Sequence, residues 1–358
     1  MKIYTSLIIA LYMCVICCCV QKSEELDLND RIQPIPETAC IMDPEYFIWG
    51  GSMIKDDEGT YHVFYSRWKK EYSFEAWVTH SEIAHAISKS STGPFVHKDI
   101  ALSARGAECW DGLCTHNPTV RKFGGKYYLY YMGNTGDGVV NHGKLNWVHR
   151  NNQRVGVAVA DNPNGPWTRF DKPLIDITPD DKAADALVTS NPSVTECPDG
   201  SYMIAYKAVA KQKDLPFGGP VSILTAISDS PTGPFKKLMK PTFTIKGNDF
   251  PCEDPYIWCQ DGKYYAIVSD PQGFFLGNEH EFVMFESDDG ANWTLAKHPL
   301  VRGGNEMLWE TGNYETYEKL ERPQIYFENG KPSVLLMAVM KKDENNQITT
   351  FNIQVPLK

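Results

Sequence analysis

Beyond its first 19 residues the sequence has no cysteine pair spaced as CxxC, and nowhere has it a glycine-rich phosphate loop, a GxSxG or an HExxH. These absences remove a zinc ribbon, a P-loop, an α/β-hydrolase elbow and a metalloprotease helix from consideration. Basic residues are also in short supply: 35 Lys and Arg stand against 45 Asp and Glu, for a net charge of −10. That balance argues against nucleic acid as a partner and fits a neutral or cationic ligand, or solubility alone. Charge is missing altogether from Ile3 to Cys19, which follow Lys2. A basic start and an apolar run have the form of a secretory leader, and roughly 16 residues are short for a spanning helix.

What is present is β-sequence, and it repeats. Phe250-Pro251-Cys252-Glu253-Asp254-Pro255-Tyr256-Ile257-Trp258 opens a strand, Gln260-Asp261-Gly262-Lys263 turns it, and Tyr264 to Val268 returns. Alternation and an Asp-Gly turn make this a hairpin. The same frame occurs at His116-Asn117-Pro118, Ser190-Asn191-Pro192 and Glu321-Arg322-Pro323, and as Gly50-Gly51-Ser52, with Ser52 where the proline would be. The four prolines stand 74, 63 and 68 residues apart. A second motif follows the hairpins: TGPF ending at Phe95, NGPW at Trp167, TGPF at Phe235 and the looser GANW at Trp293. Each reads as a third strand, a tight turn and an aromatic opening a fourth strand.

A β-unit of this size cannot bury its own face, and repetition about an axis solves that. The expected fold is all-β, a five-bladed β-propeller over residues 39–358, with the residues before each proline facing a shared funnel. A two-layer sandwich of unrelated hairpins is the competing arrangement. Hydrophobic content of 42% and aromatic content of 12% suffice for one large core. The six cysteines beyond the leader, Cys40, Cys109, Cys114, Cys197, Cys252 and Cys259, read mainly as buried thiols.

With its aromatic hairpins and Glu253-Asp254-Pro255, the repeated frame resembles the five-bladed propeller glycosidases of glycoside hydrolase family 43 and its relatives, over roughly residues 40 to 355. The resemblance implies a general acid at Glu253 in the fourth copy, a base in the first and an Asp tuning the acid in the third. The first position here is glycine and the third is Asn191, so the chain reads as a divergent member or a sister family. Inversion through water is what the resemblance implies. In some related propellers that act on unusual sugars, a histidine is catalytic.

Cleaving a glycosidic bond usually takes an acid on the leaving oxygen and a base or nucleophile across the ring. Glu253 is the first choice for the acid, with Asp254 to raise its pKa. Strand alternation would send only one of the two into the funnel. Asp43 and Glu321 are candidates for the second carboxyl group. His116, Asn117, Asn191 and Arg322 read as substrate grips, with Trp110 for stacking and Asp111 beside it; Asp185 lies similarly before the third copy. His80 is a candidate acid or base near Glu82. The polar insert Gly133 to Arg154 is expected over the site, with Trp147, His149, Arg150 and Arg154 as contacts.

The expected activity is exo-acting hydrolysis of short oligosaccharides. The alternatives are a non-catalytic carbohydrate-binding propeller, and a phosphorylase using Arg67, Arg150, Arg154 and Arg322. No cofactor is expected; a structural calcium is allowed by the sequence but not indicated by it. The leader, residues 1–19, is similar to a bacterial lipoprotein signal with lipidation at Cys19, Cys18 being the alternative. Residues 20–38 read as a flexible tether. The protein is expected to be an exported monomer, held to the outer membrane, cell surface or periplasm by its lipid anchor, with an oligosaccharide as its partner.

Overall fold

The computed structural model describes residues 25–358, and within them each copy of the frame is one four-stranded antiparallel sheet. Blade one runs Tyr46–Lys55, Tyr61–Lys69, Glu82–Ser88 and Val96–Leu102. Blade two runs Cys114–Phe123, Lys126–Asn134, Arg154–Ala160 and Thr168–Arg169. Blade three runs Val188–Glu196, Tyr202–Val209, Val221–Ser228 and Lys236–Lys237. Blade four runs Glu253–Gln260, Lys263–Asp270, Glu281–Ser287 and Thr294–Arg302. Blade five takes Lys319–Glu328, Lys331–Lys342 and Ile348–Pro356, and its outer strand is Cys40–Ile41, with Cys40 opposite Ile353 and Ile41 opposite Asn352. Joining residues 40–41 to 352–353 closes the ring, which removes the exposed edge a sheet stack would otherwise leave.

The core lies in the seams between blades. Tyr256, Ile267 and Met284 of blade four pack with Leu335, Met337 and Ile353 of blade five. Tyr130 and Val157 of blade two meet Ile204 and Tyr206 of blade three. The stretch expected to be a tether belongs to this core from Leu28 onward. Leu28 and Ile35 are fully buried in the seam of blades four and five, and Ile32 and Ile35 bridge to Leu357 and Trp309. Its few apolar residues anchor it, which its average polarity conceals. The leader and Cys19 lie outside the described residues.

One irregularity recurs in all five blades and positions everything that follows. The ladder between the two innermost strands slips between Trp49 and Gly51, His116 and Thr119, Ser190 and Ser193, Glu253 and Tyr256, and Glu321 and Gln324. At each slip one residue is left-handed: Gly50 at φ 48°, Asn117 and Asn191 at 51°, Asp254 at 53° and Arg322 at 59°. Glycine, Asn and Asp are the residues that tolerate this region best, and four of the five positions use them. A bulge re-aims side chains. Here it turns two successive residues toward the axis.

The bulges also correct the alignment of the first copy. Ser52 Oγ accepts the Val120 amide at 2.9 Å, as Ser193 Oγ accepts the Ile257 amide at 2.9 Å. Ser193 follows its proline, so Ser52 occupies the position after the proline and Gly51 takes the place of the proline itself. Gly50 is then the counterpart of Asn117, Asn191, Asp254 and Arg322.

Candidate active site

The central cavity, about 200 Å³, is lined by residues from every blade. Its geometry follows from the bulges. The left-handed residues form a polar chain across its floor: Asn117 Nδ2 donates to Asn191 Oδ1 at 2.8 Å, and Asn191 Nδ2 donates to Asp254 Oδ1 at 2.6 Å. Arg322 donates to Asp254 from its side chain at 3.1 Å and from its backbone amide at 3.3 Å. An ionised carboxylate only accepts, so Asp254 fixes the direction of the chain and leaves Asn117 Oδ1 pointing away from Asn191. Blade one adds no side chain, because its residue is Gly50. Asn117 Oδ1 and Arg322 Nε, on either side of it, are buried without partners among the described residues.

The residues one place earlier form the walls. Glu253 and Glu321 stand on adjacent blades, and an oxygen from each lies within 4.8 Å of the other and of an oxygen of Asp254. Ser190, the smallest at this position, leaves room for Lys207, its partner across the ladder, to reach Glu253 at 2.9 Å. Lys319, two residues before Glu321 and so on the same face of its strand, donates to Glu321 at 2.9 Å. Opposite these charges stands an aromatic wall of Trp49, Trp68, Phe74 and Trp77. Trp77 and Trp68 lie 5.1 and 5.7 Å from the His116 ring. Phe74 and Trp77 come from the short helical turns after the second strand of blade one.

The two glutamates are electrostatically unlike. Burial pushes Glu253 up, but the Lys207 ammonium, through charge and hydrogen bond, together with the charges of Lys319 and Arg322, leaves its pKa lowered. Burial raises Glu321 to about 7; Lys319 opposes this, while the Glu253 and Asp254 carboxylates add to it. Asp254 is raised by burial against the pull of Arg322. His116 is held well below its usual range, first by burial and then by the charges of Arg322 and Lys207. Its Nδ1 is 2.7 Å from Ser81 Oγ, and its neutral ring presents Nε2 without a partner among the described residues. The three carboxyl groups are close enough to share a cation, but each is already paired with a lysine or arginine of the chain. This set does not fit a metal.

Of the residues singled out from sequence, the cavity gathers Glu253, Asp254, Glu321, His116, Asn117, Asn191 and Arg322. Both members of the Glu-Asp pair reach the funnel, because the bulge cancels strand alternation. The remaining candidates are structural. Asp43 closes a turn by accepting the Glu45 and Tyr46 amides. Asp111 is fully buried and accepts from Tyr131 and Arg105, as Asp185 accepts from Tyr206 and Lys237. Trp110 stacks on Tyr131 and donates to the Phe170 carbonyl. His80 contacts Thr79 and lies against Tyr72. Arg154 is engaged with Asp176 and three backbone carbonyls.

The insert in blade two adds no residue to the cavity lining; Val140 packs with Trp49, Trp68 and Phe74 of the aromatic wall, and the Gly143 amide donates to Ser73 Oγ. Asn146 caps the short helix Trp147–Asn151, and buried His149 holds Asn134 and the Gly138 amide. Arg150 is turned to the Phe217 carbonyl and Arg67 to Glu82. The expected arginine cluster is therefore not assembled; of its four members only Arg322 lines the cavity. Trp49, Trp68, Phe74, Lys207 and Lys319 were not singled out from sequence. Trp49 occupies the register of Glu253, which the corrected alignment of the first copy exposes. A larger groove of about 560 Å³, at the edge of blade five, contains Trp309, Lys341 and the carboxyl groups of Glu37, Glu315 and Asp343, but these are not gathered within 4.8 Å of one another as those of the central cavity are.

A ring of five such blades around paired carboxyl groups defines a propeller glycosidase, and the comparisons with known proteins agree. The model of the glycosyl hydrolases family 32 N-terminal domain matches residues 116–354. The chain belongs to that family and is a glycoside hydrolase. No curated protein matches it. Among solved structures it is similar to Zg3597, a family 117 glycoside hydrolase of Zobellia galactanivorans, with 18% identity, 90% of this chain and 88% of that one covered, and a TM-score of 0.58. It is similar to the Bacillus subtilis arabinanase Arb43A with 17% identity, 86% and 96% coverage and a TM-score of 0.52. CoXyl43, a family 43 β-xylosidase/α-arabinofuranosidase from a compost metagenome, gives 15% identity, 92% and 95% coverage and a TM-score of 0.57.

Proposed function

We propose that this glycosidase removes single sugars from the ends of short oligosaccharides, with Glu321 as proton donor and Glu253 as the ionised carboxylate at the anomeric carbon. The observation that carries this reading is the unlike surroundings of two glutamates in one cavity: the Lys207 ammonium sits on Glu253 and lowers its pKa, while burial beside two other carboxyl groups raises that of Glu321. Two carboxyl groups pushed apart by their surroundings mark the acid and its ionised counterpart. Sequence alone favours Glu253 as the acid; the Lys207 ammonium argues for the reverse assignment. Exo action is supported by the cavity, which at about 200 Å³ is below the roughly 300–1,000 Å³ of common ligand sites. Phe74 and Trp77 line it from one side, and the aromatic wall offers a stacking face to one ring.

The carboxyl separation favours Glu253 as a nucleophile. Oxygens within 4.8 Å sit nearer the ~5–5.5 Å of retaining enzymes than the ~6.5–9.5 Å that admits a water. Glu321→Gln tests the assignment. Turnover on an oligosaccharide should fall about 10²–10⁴-fold. A glycoside with an activated leaving group, which needs no proton to depart, should show a rapid first turnover and then stall at the glycosyl-enzyme. Unchanged turnover on the oligosaccharide, or an equal loss on both substrates with no such burst, refutes the roles.

The same proposal places the enzyme outside the cytoplasm on a lipid at Cys19. Its support is the charge-free run ending in cysteines. Replacing Cys17, Cys18 and Cys19 together by Ser should free the protein from the membrane fraction; persistence there refutes the anchor.

A further inference from the structure

The cavity contains three cationic side chains. Lys207 from blade three and Lys319 and Arg322 from one strand of blade five all line it. Facing them are three carboxyl groups, one oxygen of each within 4.8 Å of the other two. Carboxylates this close in a sheltered site do not all ionise at once. Each carboxyl group is paired with one of these cations, but Glu321, its pKa raised to about 7, is only partly ionised at neutral pH. Three fixed positive charges therefore meet fewer than three full negative ones, and His116 beside them is neutral. Groups outside the lining do not remove the surplus. Glu75 acts on Lys319 and Arg150 acts on Glu253, one of each sign. A second observation is independent of this count: Arg322 Nε is buried on the floor with no acceptor among the described residues.

Glycoside cleavage passes through a transition state with positive charge on the sugar ring. A cavity with surplus positive charge opposes that charge unless the ligand brings a negative one. We propose that an anionic group of the ligand completes this site by settling against Lys207 and Lys319. The group is an acid on the sugar itself, a carboxylate or sulfate, or a free phosphate beside a neutral sugar. This rests on the reading of the cavity as the sugar site. Lysine suits the task, since its ammonium is a point charge on a flexible stem. Lys319 has almost half of its side chain exposed and is engaged with Glu321. It can turn to a ligand while Glu321 keeps its proton.

The test is calorimetric titration of the full chain at neutral pH and low salt. The probes are glucuronic and galacturonic acids, galactose 6-sulfate, glucose and galactose, the neutral sugars with and without inorganic phosphate. An acidic sugar should bind at least about tenfold tighter than its neutral counterpart, and added salt should erode the difference. Lys319→Gln, with its melting temperature checked against the parent, should remove most of the preference. If a neutral sugar gains the same advantage only with phosphate present, the anion is free phosphate. Neutral sugars binding as tightly alone, a preference indifferent to both salt and Lys319→Gln, or no binding of any probe overturns the proposal. Binding needs no turnover, so this outcome is separate from the fate of the Glu321 assignment.

Discussion

Trp49-Gly50-Gly51 in blade one and Glu253-Asp254-Pro255 in blade four share one backbone and no chemistry. Both bulge at the same rung, and both place a left-handed residue at the funnel floor, at φ 48° and 53°. Blade four fills that place with a buried carboxylate that receives Arg322 and Asn191; blade one leaves it bare. One step earlier, blade four presents a charged glutamate and blade one a tryptophan. The lesson is a division of labour. The bulge is scaffold, repeated because five blades must meet one axis, and the side chains placed on it are free to differ. The funnel thereby acquires an acidic and cationic side on blades three to five and an aromatic side on blade one, with the neutral His116 and Asn117 of blade two beside it.

The largest break in this comparison comes from making blade four as bare as blade one. Asp254→Ala removes the acceptor of Arg322, a guanidinium only 3% exposed. Leaving a buried charge without its partner costs about 3–5 kcal/mol. Thermal or urea unfolding should register that loss, and Asp254→Ala combined with Arg322→Met should recover much of it. A single variant as stable as the parent would show that the floor chain contributes nothing to the fold.

A smaller effect separates the two glutamates by pH. Glu321 must be protonated to donate, so activity should fall as pH rises through about 7. Glu253 must be ionised, and with its pKa lowered by Lys207 the acid limb should lie below the ordinary glutamate range. Lys207→Met removes the group that lowers it, so the acid limb should move to higher pH while the alkaline limb moves less. A pH–rate profile of kcat/KM measures both limbs. An alkaline limb that moves while the acid limb stays fixed would exchange the two roles.

Much of this was legible in the sequence, and the parts that were not have specific causes. Five copies of one frame give five blades because the apolar alternation and Gly turns are local properties of the chain. Glu321, Arg322, Asn117 and Asn191 were found because they stand in that frame. The bulge itself leaves no mark in the linear pattern, and two corrections follow from it: alternation predicts that Glu253 and Asp254 part, and the frame sets the first copy one residue out of place. Lys207 was missed because it sits on the second strand, opposite Ser190, and pairing across strands is not visible in a linear frame. Asp111, Asp185 and Arg154 looked chemical because they are charged residues near the frames. Each is instead engaged with a partner inside its own blade or an adjoining loop, a role that sequence position alone does not distinguish from catalysis.

The smallest expected effect comes from the opposite change, giving blade one the residue that blades two and three already carry. Gly50→Asn places a side chain at φ 48°, where Asn117 and Asn191 sit at 51°. A Cβ there would lie 3.4 Å from Arg322 Cγ, Arg322 Nε and Asn117 Oδ1, which is ordinary contact. An amide has what this gap lacks: its NH₂ can donate to Asn117 Oδ1, and its oxygen can accept from Arg322 Nε, both now without partners. A net hydrogen bond contributes about 0.5–1.5 kcal/mol, and removing a glycine from the unfolded chain adds about 0.4–1 kcal/mol where the backbone suits. Against these stands the strain of a left-handed residue, lowest for Asn and Asp among side chains. The variant should therefore be equal to the parent or up to about 1–2 kcal/mol more stable by urea unfolding. Destabilisation beyond about 1 kcal/mol would mean that the bare position serves packing at the floor, and that blade one differs from the other four in backbone as well as in chemistry.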